Sequence, residues 1–467
     1  MTSRRQILAA GAGVALAGLG GTIAYRLMPT PEPPSPPAID ANGKLLWRNW
    51  SGIQSCYPAA RIAPADEVEL ADLIGKTPSP IRVVGAGHSF MPLVPTSGTL
   101  VSLDRMSGLI AHDDAALTAT VRAGTRLGDL GPALAAIGQE MPNLPDINKQ
   151  SLGGALGTGT HGTGKGLKAI HGEVESFRLV TASGDILDCG AQSNPDIFHA
   201  ALVGLGAFGI ITQANLVNRP LVRLEKRVYL ADWRAAAADW DNLKAANRNV
   251  EFYVLPFTGK AAVITGNPTN RPVISRGPDE DTETLYDLKR LRDLLGFAPG
   301  LRRWVAGLAL DNIPAEEMVD DGWKLLSNER PVRFNEMEFH LAAENQIAAL
   351  IEVIEAIEKY RSDVFFPVEV RTIAADEAWL SPFYRRESGS IAVHAYYKED
   401  YSFFFSIIEP ILRRHGGRPH WGKLNTLSGD DFQALYPRWK DAMDVRQALD
   451  PEAKFLNDYL RKVLLNG

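Results

Sequence analysis

Two glycine-dense stretches and a pair of alternating strands hold the residue types from which chemistry can be built. The first stretch reads Arg82-Val83-Val84-Gly85-Ala86-Gly87-His88-Ser89, and the second Gln150-Ser151-Leu152-Gly153-Gly154-Ala155-Leu156-Gly157-Thr158-Gly159-Thr160-His161-Gly162-Thr163-Gly164. Glycine at this density serves the backbone: without Cβ atoms the chain can turn through positive φ and present successive N–H groups at close range, as a pyrophosphate requires. A dinucleotide is the natural guest. Neither loop is a standard fingerprint, however. Gly85-Ala86-Gly87 lacks the third glycine of the Rossmann pattern, which speaks against nicotinamide binding in that mode. Gly159 to Lys165 has Walker spacing, but Gly166 stands where a Ser or Thr must ligate Mg²⁺, so ATP hydrolysis is the weaker rival.

Val368-Glu369-Val370-Arg371-Thr372-Ile373 has strand character, and a period of two puts Glu369 and Arg371 on one face. Ile391 to Tyr397 is a second such run, presenting His394 and Tyr396 together. If the two strands are neighbours, four polar groups converge on one wall; on pattern alone, a solvated face with an ordinary ion pair is the plainer reading. His112, His171, His199, His340 and His415 sit at no metal-ligand spacing, and the chain has no His-Glu-x-x-His motif or carboxylate cluster in sequence, so no metal is assigned. Cys56 and Cys189 allow one bridge at most and are expected to be buried and inert.

These residues need a scaffold of ordinary size and composition. The chain has 467 residues, 45% hydrophobic and 22% charged, enough for a substantial core. A net charge of -6 gives no general attraction to phosphate backbones, so small molecules are expected as partners rather than nucleic acid. Strand-like runs at Ile81 to Val84, Thr99 to Leu103 and Leu117 to Val121, a helix from Arg126 to Ile137, a hairpin about Ser183-Gly184-Asp185 and a helix capped by Asn194-Pro195 predict a first α+β unit. Beyond residue 222 the pattern changes. A charged, turn-rich stretch from Arg276 to Thr284 precedes a helix in which Ile347, Leu350, Ile351, Ile354 and Ile357 keep helical spacing. Phe432 to Leu465 reads as helical, with Pro437 and Pro451 at helix starts.

At the N-terminus, Ser3-Arg4-Arg5-Gln6-Ile7-Leu8 precedes an uncharged run from Ile7 to Tyr25. The pattern is similar to the bacterial twin-arginine export signal, and a plain membrane anchor is the alternative. Residues 29–45, rich in proline, predict an extended spacer. Export to the periplasm, or tethering to the inner membrane, is the expected address.

Taken together, the two glycine loops, Gly204-Leu205-Gly206-Ala207-Phe208-Gly209-Ile210-Ile211-Thr212 and the closing Arg418-Pro419-His420-Trp421-Gly422-Lys423 resemble the vanillyl-alcohol-oxidase-type FAD flavoproteins, in the branch holding aldonolactone oxidoreductases and alditol oxidases. Tyr436-Pro437-Arg438-Trp439 and Asp450-Pro451 through Asn457 extend the resemblance to nearly everything after residue 45. It implies an α+β fold with a two-part FAD-binding domain at 46–222, a substrate domain with an antiparallel sheet at 223–420, and a segment at 421–467 returning to the flavin. It also implies FAD bonded covalently through His88, with Gly85, Ala86, Gly87, Ser89, Ser151, Gly154, Gly157, Thr158, Thr160, His161, Gly162 and Ile211 about the cofactor and Ser151 near flavin N5. Glu369, Arg371, His394 and Lys423 become the expected catalytic residues around a lactone or polyol, which reverses the plainer reading of the strand face. Trp421 is left open between core and pocket wall, and His420 is expected beside Lys423. The expected reaction is hydride transfer from a CH–OH group, with oxygen or a membrane quinone or cytochrome as acceptor. Gln150, bulky beside Ser151, leans the acceptor away from oxygen. A flavin-binding redox subunit without turnover is the rival from another class.

Overall fold

Short apolar runs between turn residues pair into three principal sheets in the computed structural model, which describes residues 30–275, 281–311, 313–328 and 330–465. In the N-terminal half β1 (Ala60–Ile62), β2 (Ile81–Val84) and β3 (Thr99–Ser102) make a parallel sheet in the order β1-β3-β2. Parallel strands need a crossover. Helix α1 (Glu67–Lys76) supplies one between β1 and β2, N-capped by Asp66 and burying Leu70 and Ile74. Beside it β4 (Leu109–Asp113), β5 (Thr118–Arg122), β6 (Val174–Val180), β7 (Ile186–Gly190) and β8 (Ile210–Val217) form an antiparallel sheet ordered β7-β6-β8-β5-β4. The hairpin expected about Gly184 joins β6 to β7.

The predicted helix after Arg126 is α2 (Leu127–Ala135), and the second glycine loop winds into a short helix, α3 (Leu152–Thr158). Helix α4 (Pro195–Ala201) corrects one expectation: Asn194 adopts a left-handed conformation and gives its side-chain amide to the Asp188 carbonyl at 2.8 Å instead of capping the helix.

In the C-terminal half β9 (Arg223–Asp232), β10 (Asn249–Leu255), β11 (Lys260–Pro268), β12 (Glu316–Asp321), β13 (Phe334–Ala342), β14 (Val368–Ile373), β15 (Ser388–Tyr396) and β16 (Arg418–Pro419) build one sheet. Its order is β12-β9-β11-β10-β14-β15-β13-β16, antiparallel throughout. Helices α5 (Asp281–Leu295) and α6 (Pro299–Leu310) follow β11, so the stretch expected to be turn-rich is helical from Asp281; residues 276–280 lie outside the described residues. Helix α7 (Gln346–Tyr360) covers the sheet face formed by Val368, Val370, Ile391 and Val393, packing Leu350, Ile354 and Ile357 into the same core. Each such side chain, fully buried, contributes roughly 1.5–3 kcal/mol. That pairing of apolar face and helix leaves the opposite face of β13, β14 and β15 for the site.

The chain closes with α8 (Gly429–Leu435), α9 (Trp439–Leu449) and α10 (Asp458–Leu464). Pro437 lies just before α9 as expected. Pro451 does not start a helix: the Asp450 carboxylate accepts from the Lys454 and Phe455 N–H groups at 2.7 and 2.9 Å and holds a turn there. This segment also returns to the N-terminal sheets, where Arg82, buried beneath the first glycine loop, donates to the Phe455 and Leu205 carbonyls at 2.5 and 2.7 Å. Residues 1–29, and with them the twin-arginine-like pattern, lie outside the described residues; among those described, no helix is long and apolar enough to cross a membrane.

Candidate active site

The sheets converge on a cavity with about 1730 Å³ of empty space, partly open to solvent. Its lining draws on both halves of the chain, from Arg82 and Ile210 to Arg371 and Lys423, and suits an extended guest. One wall is the glycine-rich side. Gly85, Ala86, Gly87, His88, Ser89, Ser151, Gly154, Gly157, Thr158, Thr160, His161 and Ile211 all line it. Gly162 does not: a Cβ there would overlap the Leu144 carbonyl and the Asn143 side chain, so this glycine serves packing behind the wall. Two positions show why glycine is required. Gly87 has a φ of +69°, and a Cβ on Gly85 would strike the Ser151 hydroxyl. Ser151 N-caps α3, accepting from the Gly154 N–H. Gln150 Oε1 is buried on the same wall without a hydrogen-bond partner, an orphaned acceptor that fits a polar guest.

His88 projects from the first loop and stacks on Trp50, with ring centroids 5.2 Å apart and planes 24° apart. Burial, with Lys423, Arg126 and Lys149 around it, pushes its imidazole down to about 4. A neutral ring with an available nitrogen lone pair is the result.

The facing wall is polar and comes from the big sheet. β14 and β15 are immediate neighbours, with Glu369 opposite Ala392 and Arg371 opposite Ser390, while β13 pairs Glu338 with the same Ala392 and Glu336 with His394. Ala392 and Ser390 on the central strand are small, so long side chains from both flanking strands meet over them. The Arg371 guanidinium donates to Glu338 Oε1 at 2.7 Å, and its Nε lies 3.4 Å from Glu369. Glu338 Oε1 also accepts from Ser390 Oγ at 2.5 Å and lies 3.0 Å from His161 Nε2. Burial would raise the Glu338 carboxyl, but Arg371, His161 and Lys423 hold it well below the usual range. Burial likewise opposes the Arg371 charge, which Glu369 and Glu338 sustain. Glu338 Oε2 is buried without a hydrogen-bond partner, with the Lys423 ammonium 3.9 Å away. Lys423 pairs closely with Glu336 and sits over the Phe90 ring at 5.3 Å. His394 anchors Nδ1 on the Pro367 carbonyl at 3.1 Å and turns Nε2 toward Glu336 at 3.7 Å, while Tyr253 donates to Glu369 at 2.6 Å.

The structure therefore brings Glu369, Arg371, His394 and Lys423 together on one wall, and departs from the sequence reading at several points. Tyr396 lies beyond the cavity and packs against Phe365 and Tyr397. Trp421 is core, stacked on Phe432 at 4.5 Å with its indole N–H on the Leu380 carbonyl. A carboxylate cluster does exist, assembled from separate strands: Glu336, Glu338 and Glu369. Sequence reasoning does not single out Glu336 and Glu338, because the alternating polar and apolar residues from Glu336 to Leu341 look the same on a solvated face and on a buried wall. His340 is no isolated histidine, since it packs against His161 and His420 with centroids 4.9 and 5.9 Å away, and burial keeps His340 and His420 neutral. His171 is not solitary either, lying 2.7 Å from Asp376 at the end of the Glu369 block, where Ser381 also donates. Two groups, Glu336 with Glu369 and His394, and His161 with Glu338 and His420, are close enough to suggest a metal. Arg371 and Lys423 already neutralise those carboxylates from within the clusters, and no metal is assigned. Cys56 and Cys189 are free thiols; Cys189 is buried, whereas Cys56 is only partly so.

Residues 214–463 match the family model described as D-arabinono-1,4-lactone oxidase, and residues 58–190 match an FAD binding domain. The L-gulono-1,4-lactone dehydrogenase of Mycobacterium tuberculosis is 34% identical over 430 residues, spanning 90% of this chain and 99% of that protein. An alditol oxidase from a Streptomyces species is 28% identical over 435 residues, 89% of this chain and 98% of that protein. The crystal structure of cholesterol oxidase from B. sterolicum superimposes with a TM-score of 0.73 at 18% identity, covering 94% of this chain and all of that one, a likeness of fold.

Proposed function

The chain belongs to the D-arabinono-1,4-lactone oxidase family of FAD-linked oxidoreductases, and from that premise we propose that it oxidises a CH–OH group of a neutral aldonolactone or sugar alcohol in the cavity between the glycine wall and the polar wall. The observation that carries the reading is the opposition of these walls across one cavity. The glycine wall, with His88 and the orphaned Gln150 acceptor, fits FAD, which when bound supplies the two-electron acceptor for a substrate hydride. All else falls to the side chains of the polar wall.

Three carboxylates and two cations there offer acceptors and donors to several hydroxyls at once and carry no excess of positive charge. A neutral polyhydroxylated ring or chain suits such a surface better than a sugar acid. Glu369, steadied by Tyr253 and Arg371, accepts from substrate hydroxyls. As the hydroxyl gives up its proton, negative charge grows on its oxygen and drives the hydride off the same carbon, and Lys423 and Arg371 are the groups that stabilise that charge. His394 Nε2 takes or relays the hydroxyl proton, with Glu336 beside it to stabilise the charged ring. Glu338 positions these residues, fixing Arg371 and His161 from beneath.

His88 is proposed as the covalent tether, a ring nitrogen bonding to the flavin 8α-methyl, and its neutrality and stacking on Trp50 favour that role. We further propose a dehydrogenase habit, with electrons passing to a quinone or cytochrome, because Gln150 fills the wall beside Ser151. Export by a twin-arginine-type route, leaving the protein periplasmic or tethered, follows from the N-terminal pattern and agrees with loading the flavin before export.

The test is a steady-state panel of aldonolactones, alditols and aldonic acids with cytochrome c, a soluble quinone or oxygen as acceptor. Turnover of a lactone or alditol, faster with the quinone or cytochrome, is expected. Purified flavoprotein inert toward every CH–OH donor would point to a redox subunit without turnover.

A further inference from the structure

Helix α6 turns three large apolar side chains outward. Toward the protein it buries Arg302, Ala306, Ala309 and Leu310, and the Arg302 guanidinium pins it by donating to the Ser362 and Val364 carbonyls at 3.0 Å each. Away from the protein it presents Leu301, Trp304 and Leu308, which are 45%, 63% and 55% exposed. Their spacing of three and four places them on one face. Single exposed apolar residues are ordinary, but Leu, Trp and Leu together on the outward face of one helix make a hydrophobic stripe that is open to a partner.

The path of the N-terminal segment bears on what that partner is. The described chain begins at Thr30, whose carbonyl accepts from Lys398 at 3.0 Å. Glu32 then accepts from Tyr397 at 2.6 Å and pairs with Lys398 and Arg333 at 2.8 and 3.3 Å. The next residue, Glu399, is bonded to Arg292 of α5 at 2.7 Å, and α5 leads directly into α6. The proline-rich segment is thus not a free spacer but a strap that fixes Thr30 and Glu32 on the side of the protein where α5 packs, next to α6 in the chain. Residues 1–29 include the uncharged run from Ile7 to Tyr25, which as a helix at about 1.5 Å per residue is long enough to reach across most of a bilayer about 30 Å thick. The strap also clasps the cavity's edge, since Arg333 directly precedes Phe334, which lines it.

We infer that α6 lies in a lipid bilayer surface, with Leu301, Trp304 and Leu308 inserted among the acyl chains, on the same membrane that receives the N-terminal run. This goes beyond the catalytic reading and rests, for the choice of occupant, on the membrane reading of that run. It would bring the edge of the cavity toward the bilayer.

Of the nine tryptophans Trp304 is the most exposed, and none lies within residues 1–29. Full-length holoprotein is therefore mixed with vesicles of phosphatidylethanolamine and phosphatidylglycerol whose acyl chains carry bromine, a contact quencher of indole fluorescence. Flotation measures attachment by any route, and quenching measures α6. Co-flotation with quenching that is lost in Trp304→Phe, while that variant still floats and keeps its turnover, is the expected result. Co-flotation with equal quenching in both proteins, or with none, would overturn the inference and leave the N-terminal run as sole anchor. Failure to float would overturn it together with the membrane reading of that run but not the catalytic reading, which turnover reports. A dimer in solution whose self-association is abolished by Trp304→Glu, without quenching of the parent protein, would assign the stripe to a second copy and equally overturn it.

Discussion

Replacing Lys423 with Met keeps an unbranched apolar stem as far as Cε and removes the ammonium that sits over Phe90. In the parent wall, Glu336, Glu338 and Glu369 face Arg371 and Lys423; in Lys423→Met the substrate oxygen, as it gains negative charge, faces three carboxylates and one cation. At an effective dielectric near 20, a unit charge about 4 Å from that oxygen is worth roughly 4 kcal/mol. Lys423 is 21% exposed and shares its charge with Glu336 and Glu338, so its contribution falls at or below that figure. Loss of one oxyanion donor elsewhere costs about 2.7–4 kcal/mol, which sets the expectation at a roughly 100- to 1,000-fold slower reaction. The assay is anaerobic stopped-flow, following bleaching of the flavin band after mixing with substrate, with flavin content measured separately. Full flavin content and greatly slowed bleaching are expected. Bleaching at the parent rate would refute the claim that cations on this wall stabilise the developing charge.

The buried network beneath the wall makes two further predictions. Glu338→Gln removes the charge shared by Arg371 and His161, and breaking one side of a buried pair costs about 3–5 kcal/mol, so its urea midpoint should fall well below the parent's; an unchanged midpoint would show that the pair adds no stability. Glu251, buried near Glu369 and Asp146, is the opposite case: burial first, then those two carboxylates, push its carboxyl up to about 7. Because the folded state holds this proton more tightly than the unfolded chain, whose value is about 4.3, its contribution is intact below about pH 4.3 and is lost as the pH rises to about 7. At roughly 1.4 kcal/mol per pH unit, Glu251→Gln should match the parent near pH 4 and exceed its stability by a little under 4 kcal/mol near pH 8. Urea unfolding at the two pH values checks this, and a pH-independent difference would contradict it.

Much of the site was legible in the sequence because its signals were local. The run Gly85-Ala86-Gly87-His88 announces a backbone that needs room, and Glu369-Val370-Arg371 announces two charges on one strand face. What the sequence could not disclose was long-range. That Ala392 and Ser390 stand between Glu369, Arg371 and Glu338 depends on the pairing of three strands, and no spacing within β13 reveals that its polar face turns inward. Period two placed Tyr396 beside His394, but a shared face does not oblige two residues to share a cavity, and Tyr396 falls past its edge. Pro451 failed as a helix marker because the Asp450 side chain supplies the turn's hydrogen bonds itself. Glu32 in the proline-rich segment was read only as part of a spacer, since its partners lie some 300 residues away at Arg333 and 365 at Tyr397.

FAD on the glycine-lined wall, with His88 as its proposed tether, underlies every step of the chemistry. Acid precipitation of the purified protein tests this most directly, comparing the parent with His88→Ala. A yellow pellet is expected for the parent, and for the variant a colourless pellet with the flavin released to the supernatant. A parent protein that is correctly folded, colourless as isolated and indifferent to added FAD would contradict that assignment.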